Sequence, residues 1–193
     1  MQAIADHAVE ALGRALREHH RGTAEHSHRC ARIAGEVARQ LGLAADEVFE
    51  VELVALLHDV GKLMVDPALL DQRTVLSPRQ RERLCRHAAD GGAILARTAA
   101  LEHLADAVRA THEHYDGSGY PDGLASEDIP LAARIVAAAD TFDAMSATRA
   151  YRRALPRAEA VRRLVEAAGT QLDPHVVDAL VAALPGRVPT LSR

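Results

Sequence analysis

The chain has no tryptophan, and aromatic residues make up only 3% of it. A core without large rings must be filled by Leu, Val, Ala and Ile, and so Ala-rich a palette favours helices over sheets. Cysteine is equally scarce. Cys30 and Cys85 are too few and too far apart for a disulfide framework, so both are expected to be reduced thiols filling the core. No apolar run approaches the about 18 residues of a membrane span. The N-terminal stretch MQAIADHAVEALGRALREHHRG lacks the apolar centre of a signal peptide. Together these absences predict a soluble, cytoplasmic protein with no membrane contact. Positive charge is not in excess either: the net charge of −4 does not point to a nucleic-acid polymer as partner. An anionic ligand would have to be drawn by a local group such as Arg149, Arg152, Arg153, Arg157, Arg162 and Arg163. Half or more of these are expected to be a solvated helix face.

Helical spacing, by contrast, runs through almost the whole chain. With 193 residues and 48% hydrophobic content, there is enough material for one sizeable core. Ile4, Val9, Leu12 and Leu16 form one stripe of a helix over 3–19. A second helix opens at Thr23 as its cap and closes at Gly42, and a third covers 46–59. A short helix follows Pro67. Ser77-Pro78 opens another that runs through His87 to Gly91-Gly92, and a further helix continues to about residue 100. Helices are also predicted over 101–114, 131–147, 156–168 and 174–184. YDGSGYPDGLASEDIP is the one long loop. No segment sustains a period-two alternation, so the expected fold is all-α, a single compact multi-helix bundle.

Histidine is abundant, with eleven residues, and some of them stand where chemistry is plausible. LLHDVGKL ends an apolar helix with His58 beside Asp59, followed by Gly61 and Lys62. A neutral imidazole and a carboxylate both bind divalent transition metals, and the two oxygens of Asp59 could bridge a pair of them. An isolated His-Asp pair at a helix end is usually only a cap or a surface ion pair. Here, however, His26, His87, His112 and Asp140 recur at helix ends and on predicted inner faces. Asp140 lies among Ile135, Val136, Ala139 and Phe142, where a lone carboxylate is costly unless paired or metal-bound.

The order His26, HDVGK, His87, HEHYDGSGYP, AAADTFDAM and TRAYR resembles the HD-GYP domain family, a branch of the HD phosphohydrolases. The loop at 116–121 contains Gly119-Tyr120-Pro121, the family's naming tripeptide, in full. The resemblance implies a domain over 22–185, preceded by an N-terminal helix within 1–21 and followed by a tail at 186–193. It also implies hydrolysis of cyclic di-GMP to pGpG, to GMP or to both, with two divalent ions per chain, iron or manganese. His26, His58, Asp59 and Asp140 would surround the first ion. Asp59 would bridge to a second, also held by His87 and His112. Such a pair lowers the pKa of a water between the ions, giving a hydroxide that attacks phosphorus in line. Asp59 and Lys62 are then the catalytic residues, with Lys62 placed to touch the scissile phosphate. Gly119, Tyr120, Pro121, Arg149 and Arg152 match positions that contact the nucleotide. Asp143 is counted with them, with support of a metal ligand as its open alternative. Partners implied are cyclic di-GMP and GGDEF-type cyclase domains. The first helix is expected either to pack on the core or to mediate a homodimer.

Three positions depart from the family pattern. Thr111 stands where the family has the first of two adjacent histidines, and its hydroxyl stays protonated near neutral pH. The second ion then has one protein ligand fewer and is expected to bind more weakly, with water in the vacated place. His114 cannot substitute within a helix, because two residues turn it about 200° from His112. Gly22 replaces an acidic residue of members that hold a third metal, so no third ion is expected, and Ala150 replaces a proline. Three functions follow in order: a cyclic di-GMP phosphodiesterase, a weakly active or inactive regulator that binds the nucleotide or a GGDEF-type partner, and a phosphohydrolase for another nucleotide. The complete Gly119-Tyr120-Pro121 speaks against the last.

Overall fold

A single residue separates the first two helices, α1 (Gln2–His19) and α2 (Arg21–Gln40). His20 has extended backbone, and its Nδ1 accepts the amide of Thr23 at 3.1 Å, so the imidazole caps α2. Thr23, the expected cap, lies inside the first turn and its hydroxyl donates to the same nitrogen at 2.7 Å. The computed structural model describes residues 2–72, 74–147 and 154–184.

Helix α2 buries His26, Cys30, Ile33, Ala34, Val37 and Ala38, a stripe at helical spacing. That stripe packs on α3 (Ala45–Leu57) and α8 (Leu131–Ser146), where Ala138 and Ala139 are completely buried. Alanine lets the helix backbones approach closely. The larger residues Val51, Val54, Ile135 and Val136 fill the remaining space, each worth about 1.5–3 kcal/mol when fully buried. Helices α9 (Arg157–Ala167) and α10 (Pro174–Ala183) close the core through Leu164, Val176, Val177 and Leu180. Helix α1 lies on the same core through the partly covered Ala8, Val9 and Leu12, and its Leu16 is buried. Among the described residues no β-strand forms, and no helix is long and apolar enough to cross a membrane.

Between α3 and α8 the chain is broken into short pieces: a 3-10 turn at Val60–Met64, α4 (Pro67–Leu70), α5 (Pro78–Cys85), α6 (His87–Ala96), a second 3-10 turn at Glu102–Leu104 and α7 (Ala105–Arg109). Three expected boundaries move. The helix over 46–59 ends at Leu57, leaving His58 and Asp59 at the junction with the 3-10 turn. The break expected at Gly91-Gly92 falls instead at Arg86, and both glycines lie within α6. A glycine inside a helix costs about 1 kcal/mol relative to alanine, but here it permits close packing. A Cβ on Gly61 would stand 1.9 Å from the His87 carbonyl oxygen and 2.5 Å from the Gly91 amide. The bare backbones of HDVGK and α6 therefore rest directly on each other. Finally, the helix expected over 101–114 stops at Arg109, so His112 sits in a turn beyond it.

Candidate metal centre

The junction after α3 fixes His58 and Asp59 in the interior. His58 is 1% exposed and Asp59 0%. The carbonyl of Ala55, one turn back, accepts from His58 Nδ1 at 2.7 Å. That bond puts the ring proton on Nδ1 and leaves the Nε2 lone pair free for a ligand. Burial drives His58 below its ordinary pKa, which keeps it neutral. Asp59 Oδ2 accepts from Lys62 Nζ at 2.7 Å. Its Oδ1 is buried and makes no hydrogen bond, although His87 Nε2 stands 3.3 Å away. Burial opposes the charge on Asp59, but His58, Lys62 and His87 outweigh it and hold the carboxyl well below the usual range.

His87 repeats the arrangement of His58 at the start of α6. Its Nδ1 donates to the Leu84 carbonyl at 2.6 Å, which leaves its Nε2 unprotonated and facing His112 Nε2 at 2.9 Å. Two imidazole nitrogens at that separation require a proton or a cation between them. Burial pushes His112 down to about 3, so it is neutral near pH 7.

Across from this pair, α2 presents His26 to α8. His26 Nε2 lies 2.9 Å from Asp140 Oδ1, and its Nδ1 lies 2.6 Å from Asp143 Oδ2. Burial works against charge on the ring, yet the two carboxylates prevail and push it up to about 12, so without a cation it is an imidazolium. Burial likewise opposes the charge on Asp140, and His26 holds it below its ordinary value. Cys30 Sγ lies 3.5 Å from His26 Nδ1, and burial pushes this thiol up to about 11. It therefore remains protonated and unreactive.

The structure thus gathers the six candidate ligands into two adjoining groups of three. His26, His58 and Asp140 each offer an atom within 4.8 Å of the others, and so do Asp59, His87 and His112. Asp59 lies between the groups, its Oδ2 3.5 Å from His58 Nε2 and its Oδ1 3.3 Å from His87 Nε2. A buried carboxylate oxygen without a hydrogen bond, set among imidazole lone pairs, is a donor set that fits divalent transition ions. A third group, His26, Cys30 and Asp143, also lies within 4.8 Å. Its carboxylate is already engaged by His26 and by Arg29, whose Nε and Nη2 donate at 2.7 and 3.0 Å.

Asp143 is accordingly buried at 2% exposure, with both oxygens committed to orienting His26 and Arg29. Of its two sequence readings, nucleotide contact or support of a metal ligand, this geometry suits the second. Thr111 is also buried, and its hydroxyl donates to the Val108 carbonyl at 2.9 Å, away from ligand duty. His114 pairs through Nδ1 with Ser118 Oγ at 2.9 Å on the outer loop. The helix has already ended at Arg109, so the rotation expected within a helix does not apply to His112 and His114. Arg149 and Arg152 lie outside the described residues.

The loop carrying Gly119, Tyr120 and Pro121 folds back over the second group. Tyr120 stacks on His112, ring centroids 5.2 Å apart and planes 12° from parallel. Burial raises the Tyr120 phenol above its ordinary value, so it stays protonated. Two residues outside the expected site hold the loop down. Glu113, 3% exposed, accepts the amides of Asp122 at 2.7 Å and Gly123 at 3.1 Å. Arg109 grips Asp122 with two bonds of 2.6 Å. Neither was a candidate from the sequence. The available signal was a glycine-rich loop, whose exposed amide donors need a nearby acceptor. At Gly119 a Cβ would stand 2.2 Å from the His114 nitrogen and 2.5 Å from Glu113 Cα. Gly119→Ala is therefore expected to lift Tyr120 off His112 and to cost about 1–3 kcal/mol, read as a lower Tm. An unchanged melting curve would mean that the loop does not press on this backbone.

A family model described as HD domain matches residues 3–176. The cyclic di-GMP phosphodiesterase response regulator RpfG of Xanthomonas campestris is 40% identical over 172 residues, which is 88% of this chain and 46% of that protein. The 3′3′-cGAMP-specific phosphodiesterase 3 of Vibrio cholerae is 38% identical over 176 residues, 91% of this chain and 38% of that protein. The chain thus spans less than half the length of these relatives. Among solved structures, Bd1817, an HDG"Y"P protein from Bdellovibrio bacteriovorus, superposes with a TM-score of 0.68 over 83% of this chain and 52% of its own. At 21% identity, that likeness concerns the fold.

Proposed function

Because the chain belongs to the HD domain family, in its HD-GYP branch, we propose that it is a metal-dependent phosphodiesterase that hydrolyses cyclic di-GMP to pGpG, to GMP or to both. The observation that carries this reading is the buried Asp59 carboxylate, set between two groups of three donors with one oxygen making no hydrogen bond. His26, His58, Asp59 and Asp140 would hold one divalent ion, and Asp59, His87 and His112 a second, iron or manganese. Such ions supply an activated water for in-line attack and neutralise charge on the phosphoryl oxygens.

The chain's own groups do the remaining work. Asp59 would be a ligand to both ions, and its carboxyl is held well below the usual range. Lys62, with a partly exposed side chain in the cleft, would exchange its 2.7 Å contact with Asp59 for an oxygen of the scissile phosphate. Asp143 fixes the His26 ring from behind. The cleft has a volume of about 690 Å³ and is lined by His26, Asp59, Lys62, Asp140, Arg29 and Gln72, within the range of roughly 300–1,000 Å³ usual for ligand pockets. Tyr120 and the Gly119 backbone are proposed to meet the nucleotide from the loop.

The direct test loads purified protein anaerobically with Fe(II) or Mn(II) and supplies cyclic di-GMP. Linear pGpG or GMP is the expected product. No product with either metal, at two bound ions per chain, would overturn the proposal. A separate measurement needs no turnover: Mn(II) at about a hundred times its dissociation constant should stabilise the fold by about 2.7 kcal/mol. For a chain of this size that raises Tm by roughly 5–10 °C. No shift would mean that the two donor groups do not bind the ion.

Thr111 motivates a second reading, a weakly active domain that binds cyclic di-GMP or a GGDEF-type partner as a regulator. It predicts one metal per chain with nucleotide binding retained. The intact grouping of Asp59, His87 and His112 favours the enzyme. A cytoplasmic location and a catalytic unit over 22–185 belong to the same proposal. A GGDEF-type partner rests on the resemblance, and self-association on the first helix.

A further inference from the structure

Arg29 lines the same cleft as Lys62 and belongs to neither of the two donor groups that include Asp59 and Asp140. It lies on α2, almost one turn beyond His26, with 41% of its side chain exposed. One edge of its guanidinium is clamped from behind. Nε donates to Asp143 Oδ1 at 2.7 Å and Nη2 to Oδ2 at 3.0 Å, and Asp143 itself is buried. Nη1 makes no hydrogen bond among the described residues. The other charged groups around this part of the cleft have their own partners. Glu25 accepts from Arg21 at 2.7 Å, Asp71 lies 3.3 Å from His20 Nε2, and Asp140 faces His26. A fixed, planar cation with a free edge is therefore presented to the cleft. Because the fork is already ordered, little entropy is lost when it binds an anion.

A cyclic dinucleotide carries two phosphodiesters, and only one of them can lie at the reacting centre beside Lys62. The other brings a full negative charge into a cleft whose remaining side chains include Glu25, Asp71 and Asp140. We infer that Arg29 binds the second, non-scissile phosphodiester of the substrate, through the guanidinium edge that Asp143 leaves free. The inference rests on the cyclic dinucleotide reading above and assigns Arg29 to substrate binding, separate from the metal ligands.

The test compares wild type, Arg29→Gln and Arg29→Lys in three measurements: equilibrium binding of cyclic di-GMP, hydrolysis of bis(p-nitrophenyl) phosphate by the Mn(II)-loaded protein, and manganese content per chain. Bis(p-nitrophenyl) phosphate has a single phosphodiester and cannot reach two sites. Arg29→Gln is expected to weaken cyclic di-GMP binding about 10- to 100-fold, the worth of a charge-assisted contact. Turnover of the single diester and the manganese content should stay within about twofold of wild type, set against that 10- to 100-fold loss. Arg29→Lys should recover part of the lost affinity. Unchanged cyclic di-GMP affinity in Arg29→Gln would overturn the inference and leave the enzyme reading standing. A parallel fall in manganese content and single-diester turnover would also overturn it, because Arg29 would then act on His26 through Asp143. A wild-type protein that binds no cyclic di-GMP, yet cleaves the single diester, would overturn both.

Discussion

Asp59→Ala is expected to lower kcat/KM for cyclic di-GMP by about a thousandfold or more, since a metal pair supplies several kcal/mol to the transition state and each 1.36 kcal/mol is tenfold. The size of the effect follows from position. Among the described residues, Asp59 is the one carboxylate within 3.5 Å of an imidazole nitrogen of each donor group, His58 on one side and His87 on the other. Its removal would take away a donor on which both proposed ions depend, so bound metal should fall from two ions to at most one. The fold should survive. Asp59 is a buried charge whose partner Lys62 is partly exposed and can turn to solvent, and the junction backbone depends on the His58 bond to Ala55 and on the Gly61 packing. Metal content and kcat/KM, measured beside a far-UV melting curve, separate these effects. A variant that keeps two ions and a rate within about tenfold of wild type, an effect of only about 1.4 kcal/mol, would remove the bridge from the mechanism.

How much of this centre could be read from residues alone depended on the kind of signal each part leaves. Helix α2 is legible because its apolar residues and His26 fall on one stripe. Asp140 is legible because its neighbours are apolar. His58 and Asp59 are legible as an abrupt polar ending to a buried helix. The all-α fold follows from the same spacing, and the structure agrees with it. Periodicity says nothing, however, about one backbone lying against another. The sequence makes Gly91-Gly92 look like a helix stop, whereas the packed molecule uses Gly91 as the surface that receives Gly61. Thr23 looks like a cap until the His20 imidazole takes that place.

The supporting residues were the least legible. Arg29 and Glu113 sit in polar stretches where a charged side chain is unremarkable. What gives each a role is a partner far along the chain, Asp143 for Arg29 and the Asp122-Gly123 amides for Glu113. Asp143 shows the same limit from the other direction. From sequence its role stayed open between a nucleotide contact and support of a metal ligand, and only the approach of α2 to α8 reveals that both oxygens are already used.

Thr111→His should tighten the second ion by at least about tenfold, the lower end of what even indirect metal-site partners contribute. Position 111 immediately precedes His112, whose Nε2 already faces His87 Nε2 at 2.9 Å. The threonine there spends its hydroxyl on the Val108 carbonyl. Replacing it removes a bond to a carbonyl in a turn, a modest loss of about 1 kcal/mol, and adds an imidazole that ionises only weakly when buried. If Thr111 is what weakens the second site, the variant should hold two ions at metal concentrations where the wild type holds one, and turnover at low Mn(II) should rise in step. At saturating Mn(II) the two proteins should converge, because the wild-type centre then has its full complement as well. That convergence is the informative result. It would place the effect of Thr111 in metal affinity, with the chemical step left intact. A variant with unchanged manganese affinity would show that a side chain at 111 cannot reach the ion. A gap in rate that persists at saturation would show that the missing histidine shapes the reacting geometry itself.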